Sequence, residues 1–116
     1  SESLPVADAH FHFWDSVAFP NPNLGDITAE GAFPRYLPAD YLADFGALAA
    51  EAPRLAASVH VETIVGQKAG GAELDPVGET AWLATQLPEL PVPSVIVAYA
   101  HLARPDVKEV LAAHEA

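Results

Sequence analysis

The chain contains no cysteine and no methionine, and only 5 of its 116 residues are lysine or arginine. Because there is no cysteine, disulfides and thiolate chemistry are excluded, and any metal site must use histidine, aspartate and glutamate. The 16 acidic residues give a formal net charge of −11. This charge argues against nucleic acid as a partner, since phosphate binding needs a basic surface.

Long hydrophobic runs are also missing. No apolar run approaches the roughly 20 residues that a membrane-spanning helix needs. Residues 1–5 lack the basic start and apolar core of a signal peptide. We therefore expect no membrane partner and a cytoplasmic location. The hydrophobic share of 51% and the charged share of 18% are typical of a single globular domain with its own core.

The hydrophobic pattern predicts strands that alternate with helices. The predicted strands span 6–13, 55–65 and 92–102. The predicted helices span 37–53 and 75–87, and a third begins at Pro105. This β-α-β-α-β-α order predicts an α/β fold with crossover connections and a parallel sheet. The third strand is almost wholly apolar, which favours a strand covered on both faces. Residues 14–38 contain four prolines and two glycines and predict a long loop of functional importance.

Four of the five histidines lie near the carboxyl ends of the predicted strands, namely His10, His12, His60 and His101. In a parallel sheet these ends share one edge, where α/β proteins collect functional groups. His10 and His12 are two residues apart, so they share a strand face with a separation of about 7 Å. His60 and Glu62 repeat this spacing. Imidazole and carboxylate ligands suit zinc, manganese or iron. The alternatives are that His10 and His12 are hydrogen-bonded core residues, that His60 and Glu62 form a buried ion pair, and that His101 caps a nearby helix.

The remaining polar candidates each have two interpretations. Asp15, directly after the first strand, either contacts substrate or caps the following turn. Trp14 either walls a pocket or belongs to the core. Lys68 either meets an anionic substrate or serves surface solubility, and His114, on the last helix, is predicted to be a solvated surface residue.

The segment "VADAHFHFWD" resembles the first-strand signature of the amidohydrolase superfamily. It is most similar to the amidohydrolase-related branch of metal-dependent TIM-barrel hydrolases, which includes sugar lactonases and the hydrolase of 2-pyrone-4,6-dicarboxylate. The segments "SVHVETIVG", "DPVGETAWLATQLPELP" and "IVAYAHLARPDVKEVLAAHEA" are similar to the second and third strand-helix units of that branch. The resemblance therefore covers nearly the whole chain.

The resemblance implies that residues 1–116 form one domain, the first three units of a (β/α)8 barrel, with 14–38 as an active-site loop. A complete barrel has eight units and about 250 residues. Family members take a further metal-binding histidine and a late aspartate, the general base, from strands that this chain does not contain. We therefore expect the chain to be an N-terminal fragment with little activity alone, and its open sheet edges allow self-association into a homo-oligomer.

The function implied by the resemblance is hydrolysis of a small lactone, or a related cyclic ester or amide, with a carboxylated or sugar-derived substrate. His10 and His12 match the metal-binding pair, with zinc expected and manganese as the alternative. The other implied assignments are catalytic roles for His60 and Glu62 and substrate contacts for Trp14, Asp15, Lys68 and His101. Three rival interpretations stay open: a metal-free lactonase, a metal-dependent decarboxylase, and a non-catalytic α/β binding module that assembles through its open edges.

Overall fold

The computed structural model describes residues 4–19, 34–47, 53–63 and 77–115. The strands are β1 (Pro5–Phe11), β2 (Trp14–Asp15), β3 (Arg35–Tyr36), β4 (Arg54–Val61) and β5 (Ser94–Val97). The helices are α1 (Pro38–Ala47), α2 (Gly78–Gln86) and α3 (Val107–Glu115), and a 3-10 turn (Leu87–Glu89) follows α2. The predicted α/β class is confirmed. Across the described ranges, no helix has the length and apolar character needed to cross a membrane.

Three strands form a parallel sheet in the order β1-β4-β5, so β4 is central. Ser58 of β4 pairs with Asp8 on one side and with Ser94 on the other. The ladder between β1 and β4 is irregular, with one register shift between Val6 and Ala7 and a second between Asp8 and Phe11, after which Phe11 pairs with His60. The predicted parallel sheet is confirmed, and the shift decides which side chains share a face.

The helices begin where the sequence chemistry favours a helix start. Pro38 occupies the first position of α1, where its missing N–H costs nothing. The Asp40 carboxylate accepts the backbone N–H of Leu37 at 2.9 Å, as in a capping box. Residues 48–52 of the first predicted helix, and residue 75, where the second predicted helix begins, lie outside the described residues.

The third strand is shorter than predicted, because a strand extends only as far as its neighbour does. Among the described residues β5 pairs with β4 alone, and Val61, the last residue of β4, pairs with Val97. Residues 98–102 have no strand assignment, although the apolar pattern predicts one there. The last helix begins at Val107 rather than at Pro105. Before it, the Arg104 guanidinium makes two hydrogen bonds to the Asp106 carboxylate, at 2.8 and 2.7 Å.

One face of the sheet is covered by α1 and α2. The buried core consists of Phe11, Phe13, Tyr41, Leu55, Leu83 and Leu90. Phe11 stacks on Tyr41 of α1 with ring centroids 4.5 Å apart. On β5, Ile96 packs against this core, whereas Val95 and Val97 are 60% and 52% exposed. The prediction that the third strand is covered on both faces is therefore wrong for this chain: among the described residues, the face of β5 that carries Val95 and Val97 is open to solvent.

The predicted loop at 14–38 is closed at its base by a second, two-stranded sheet. β2 and β3 pair antiparallel, Trp14 with Tyr36 and Asp15 with Arg35. The Ser16 N–H donates to the Pro34 carbonyl at 2.8 Å and extends this pairing. Residues 20–33 lie outside the described residues. The two ends of the loop at 14–38 are thus held together directly after β1.

Candidate functional site

His12 follows the end of β1 and is half-buried. Its Nδ1 lies 2.7 Å from the carbonyl oxygen of Val61, the last residue of β4. A carbonyl oxygen only accepts, so Nδ1 carries a proton, and in the neutral ring Nε2 then keeps its lone pair. A metal-binding histidine is commonly oriented by such a hydrogen bond from its other ring nitrogen to a backbone carbonyl. The geometry therefore leaves His12 Nε2 able to bind a cation or accept a proton.

The His10 ring lies beside that of His12, with centroids 4.9 Å apart and the rings nearly perpendicular. His10 is exposed, and its backbone N–H donates to the Asp8 carboxylate at 3.1 Å. The structure thus brings together the two residues for which the sequence predicts metal binding. Two imidazoles supply half of a tetrahedral zinc shell. Among the described residues, no group of three or more histidines and carboxylates is placed to hold a metal.

His60, for which a catalytic role is predicted, points into the core. Its side chain is fully buried, with ring centroids 5.2 Å from Phe11 and 5.9 Å from Phe13. The Phe13 N–H donates to His60 Nε2 at 2.9 Å, so the ring proton is on Nδ1. Burial, with a further contribution from His12, lowers the pKa of His60 to about 4. His60 is therefore neutral near pH ~7. Its Nε2 accepts the backbone N–H of Phe13, the residue that follows His12.

A buried carboxylate, which the sequence argument missed, lies beside His60. Glu79, in the first turn of α2, is 1% exposed. Its two oxygens accept the Thr63 N–H at 3.0 and 3.1 Å, and Oε1 also accepts the Thr63 hydroxyl at 3.2 Å. Glu79 Oε1 is 4.0 Å from His60 Nε2. The sequence feature that could have identified Glu79 is its place in the first turn of a helix. Acidic residues there usually lie at the surface, however, where they interact favourably with the helix dipole.

Glu62 lies directly after β4 and is half-buried. Its backbone N–H donates to the Val97 carbonyl at 2.9 Å, so the ladder between β4 and β5 continues by one bond. Glu62 thus follows Val61, the partner of His12, at the carboxyl end of the central strand. A substrate role for its side chain stays a prediction.

Trp14 and Asp15 take part in the small sheet. Trp14 stacks on Tyr36 with centroids 5.0 Å apart. The Asp15 carboxylate accepts the Ala18 N–H at 2.9 Å and the Arg35 Nε–H at 3.0 Å. Burial raises the pKa of Asp15, but these hydrogen bonds and the Arg35 charge outweigh it and lower the pKa below the ordinary value. The geometry therefore assigns Asp15 to the turn after β2, and its substrate role stays a prediction.

Two further predicted residues do not join the histidine pair. His101 is exposed after β5, and only its carbonyl is engaged, accepting the Arg104 N–H at 3.0 Å. Within the described part of the chain, its ring makes no hydrogen bond or ring contact. Lys68 lies outside the described residues, as do all of 64–76.

His114 is not the solvated surface residue predicted from the sequence. Its ring joins three parts of the fold: Nδ1 lies 2.8 Å from the Thr80 hydroxyl, and Nε2 donates to the Tyr99 carbonyl at 2.9 Å. The prediction is wrong because α3 packs its last turn against the start of α2 and the segment after β5. His114 is therefore a structural histidine on a different part of the fold.

Comparison with known proteins adds one relative. No protein-family model matches the chain, and no solved structure matches it. The chain is 32% identical, over an alignment of 118 residues, to the uncharacterized protein y4mH of Sinorhizobium fredii strain NBRC 101917 / NGR234. The alignment covers 96% of this chain and 36% of the relative. The chain thus spans about a third of the relative's length.

Proposed function

We propose that the chain is the first part of a (β/α)8-barrel hydrolase of the amidohydrolase type, which opens a small lactone or a related cyclic ester or amide. The observation that carries this proposal is the hydrogen bond from His12 Nδ1 to the Val61 carbonyl, which leaves Nε2 free beside the His10 ring. The pair lies at the carboxyl end of β1, the edge at which barrel enzymes build their active sites.

Three observations support the barrel. The strand order β1-β4-β5 adds each new parallel strand to the same edge of the sheet, as in the first three units of a barrel. The face opposite the helices carries Val95 and Val97, which are 60% and 52% exposed. Further strands that close the barrel would bury this apolar face. Because the aligned region is 36% of the relative, the relative is long enough for a barrel of about 250 residues.

The donor set fits part of a zinc or manganese site. His10 and His12 would hold the ion, and the remaining ligands would come from outside the described residues. When bound, a divalent cation polarises a carbonyl oxygen and increases the acidity of water. The Val61 carbonyl holds His12 in the tautomer that binds through Nε2. Glu62, the next residue, would orient the substrate, and an aspartate from a later strand would accept the proton.

Zinc binding by the purified chain tests the histidine pair. We expect isothermal titration calorimetry to show binding that falls at least tenfold in His10→Ala and in His12→Ala. The matched control is His114→Gln, which removes an imidazole elsewhere and keeps hydrogen-bonding groups for Thr80 and Tyr99. Zinc affinity that is the same in wild type and His12→Ala would contradict the metal assignment.

Hydrolysis of a panel of sugar-derived and carboxylated lactones by the full-length gene product tests the reaction. We expect turnover that chelators abolish, that zinc or manganese restores, and that His12→Ala removes. The 116-residue chain alone should show little or no turnover. Turnover that survives chelation but not His12→Ala would identify a metal-free lactonase. No turnover of any lactone by the metal-loaded product would refute the proposed function.

A further inference from the structure

The orientation of His12 depends on one backbone carbonyl. Its Nδ1 makes a 2.7 Å hydrogen bond to the carbonyl of Val61, where β4 ends. A rotation of the peptide after Val61 would turn this carbonyl away and release the ring. The N–H of the same peptide, that of Glu62, donates to the Val97 carbonyl at 2.9 Å and holds the peptide from the β5 side. The tautomer of His12, and the direction of its Nε2, therefore depend on how the backbone at 61–63 is held on both sides.

That backbone is anchored from the helix layer by Glu79. Both carboxylate oxygens hold the Thr63 N–H, and one also holds the Thr63 hydroxyl. Hydrogen bonds to a carboxylate are among the stronger ones, and they are stronger still away from water. Burial of a carboxylate to 1% exposure is costly unless its oxygens are satisfied. Glu79 therefore fixes the chain two residues beyond the carbonyl that orients His12.

The other side of the contact is anchored by His60. β1 ends at Phe11, so Phe13 has no strand ladder to hold its N–H. His60 Nε2 accepts this N–H at 2.9 Å, in the residue that follows His12. His60 Nε2 and Glu79 Oε1 are 4.0 Å apart, so both anchors belong to one buried polar cluster.

We propose that Glu79 is a positioning residue for His12: through Thr63 it holds the Val61 carbonyl in place, and this keeps His12 protonated on Nδ1 with Nε2 free. His60 gives the matching anchor on the β1 side. The inference deepens the proposed function, because a ring held in this way is pre-organised to bind through Nε2. The alternative is that Glu79 only stabilises the packing of α2 on the sheet.

The test compares Glu79→Gln with Glu89→Gln in the full chain. Glu89 lies exposed in the 3-10 turn after α2, so the control makes the same chemical change at the surface. Long-range ¹H–¹⁵N NMR correlations report the tautomer of each histidine ring, and His12 is assigned from the signals lost in His12→Gln. Zinc titration is the second measurement.

In wild type and Glu89→Gln we expect His12 almost wholly protonated on Nδ1. In Glu79→Gln the ratio of the two tautomers should shift toward Nε2 protonation at least fivefold, and zinc affinity should fall roughly tenfold, as for other outer-shell changes. A folded Glu79→Gln protein with the wild-type tautomer ratio would overturn the inference, however much stability it had lost.

If Glu79→Gln does not fold, Thr63→Val is the deciding variant. It removes the hydroxyl that donates to Glu79 but keeps the Thr63 N–H contact to the same carboxylate. A smaller shift in the same direction supports the inference, and an unchanged ratio overturns it. A tautomer shift in a chain that binds no zinc would leave the positioning role intact and count against the metal. If zinc binding requires His12 but is unchanged in Glu79→Gln and Thr63→Val, the metal assignment stands and the positioning role of Glu79 is refuted.

Discussion

Acid should destabilise this fold through His60. Its Nε2 accepts the Phe13 N–H, and protonation of Nε2 would place two donors against each other inside the core. Burial first, and the neighbouring His12 second, lower its pKa from 6.5 to about 4 in the folded chain. Between these two values the unfolded chain binds a proton that the folded chain does not. Stability therefore decreases as the pH falls through this window.

The magnitude follows from the same two pKa values. A complete gap between 6.5 and about 4 corresponds to about 3 kcal/mol, and the part between about pH 7 and about pH 5 to about 2 kcal/mol. Glu79, whose Oε1 is 4.0 Å from Nε2, acts in the opposite sense because its charge favours an imidazolium. The value of about 2 kcal/mol is therefore an upper bound.

Urea unfolding followed by circular dichroism at several pH values measures this effect. In His60→Gln the amide oxygen takes the place of Nε2 as the acceptor for Phe13 and does not titrate. We expect the unfolding free energy of wild type to fall by about 2 kcal/mol more than that of His60→Gln between about pH 7 and about pH 5. His101→Gln removes an exposed imidazole and should keep the wild-type slope. Equal slopes for wild type and His60→Gln would refute the reasoning.

Three further substitutions test other contacts. Tyr41→Phe removes the hydroxyl that donates to Asp8 at 2.9 Å, and urea unfolding should show a loss of about 1–2 kcal/mol; a loss below the error of the fit would contradict the assigned bond. Asp15→Asn should be less stable than wild type near neutral pH. Because the folded pKa of Asp15 is lowered, this difference should vanish as the pH falls through that pKa, and a pH-independent difference would argue against the charge of Asp15 as its cause. Val97→Thr, at a 52% exposed position, should change the melting temperature of the chain very little, since exposed substitutions cost within about 0.5 kcal/mol. The same change should cost clearly more in the full-length product if further strands bury this face.

The sequence was sufficient for those features that depend on local periodicity. Alternation of two residues predicts that His10, on β1, and His12, directly after it, lie on the same side of the chain, and their rings do lie 4.9 Å apart. The alternation of strands and helices likewise predicted the parallel sheet, and the sheet is confirmed. The length of β5 was not predictable in this way, because it depends on where the neighbouring strand ends and not on the apolar character of 98–102.

The environment of His60 depends on register, which no single strand reveals. The ladder begins with Val6 opposite Leu55 and then shifts, so that Asp8 pairs with Ser58, an offset that would bring His60 opposite His10. The second shift, between Asp8 and Phe11, restores the first offset and brings His60 opposite Phe11. Neighbouring parallel strands point paired side chains to the same side, so His60 joins the phenylalanines in the core. The sequence argument placed all four histidines on one rim because it had no means of detecting this irregularity.

The same register shift couples the orientation of His10 and His12 to the packing of the core. With the later offset, His12 comes level with Val61, whose carbonyl it binds. Phe11 and Phe13, which alternate with the histidines, are 6% and 0% exposed. A slip of one residue would exchange the two sets and bring both phenylalanine rings into water, at a cost of roughly 3–6 kcal/mol in lost burial. The packing of Phe11 and Phe13 therefore determines which way His10 and His12 face, so a core substitution at either phenylalanine should disturb the site before any histidine is touched.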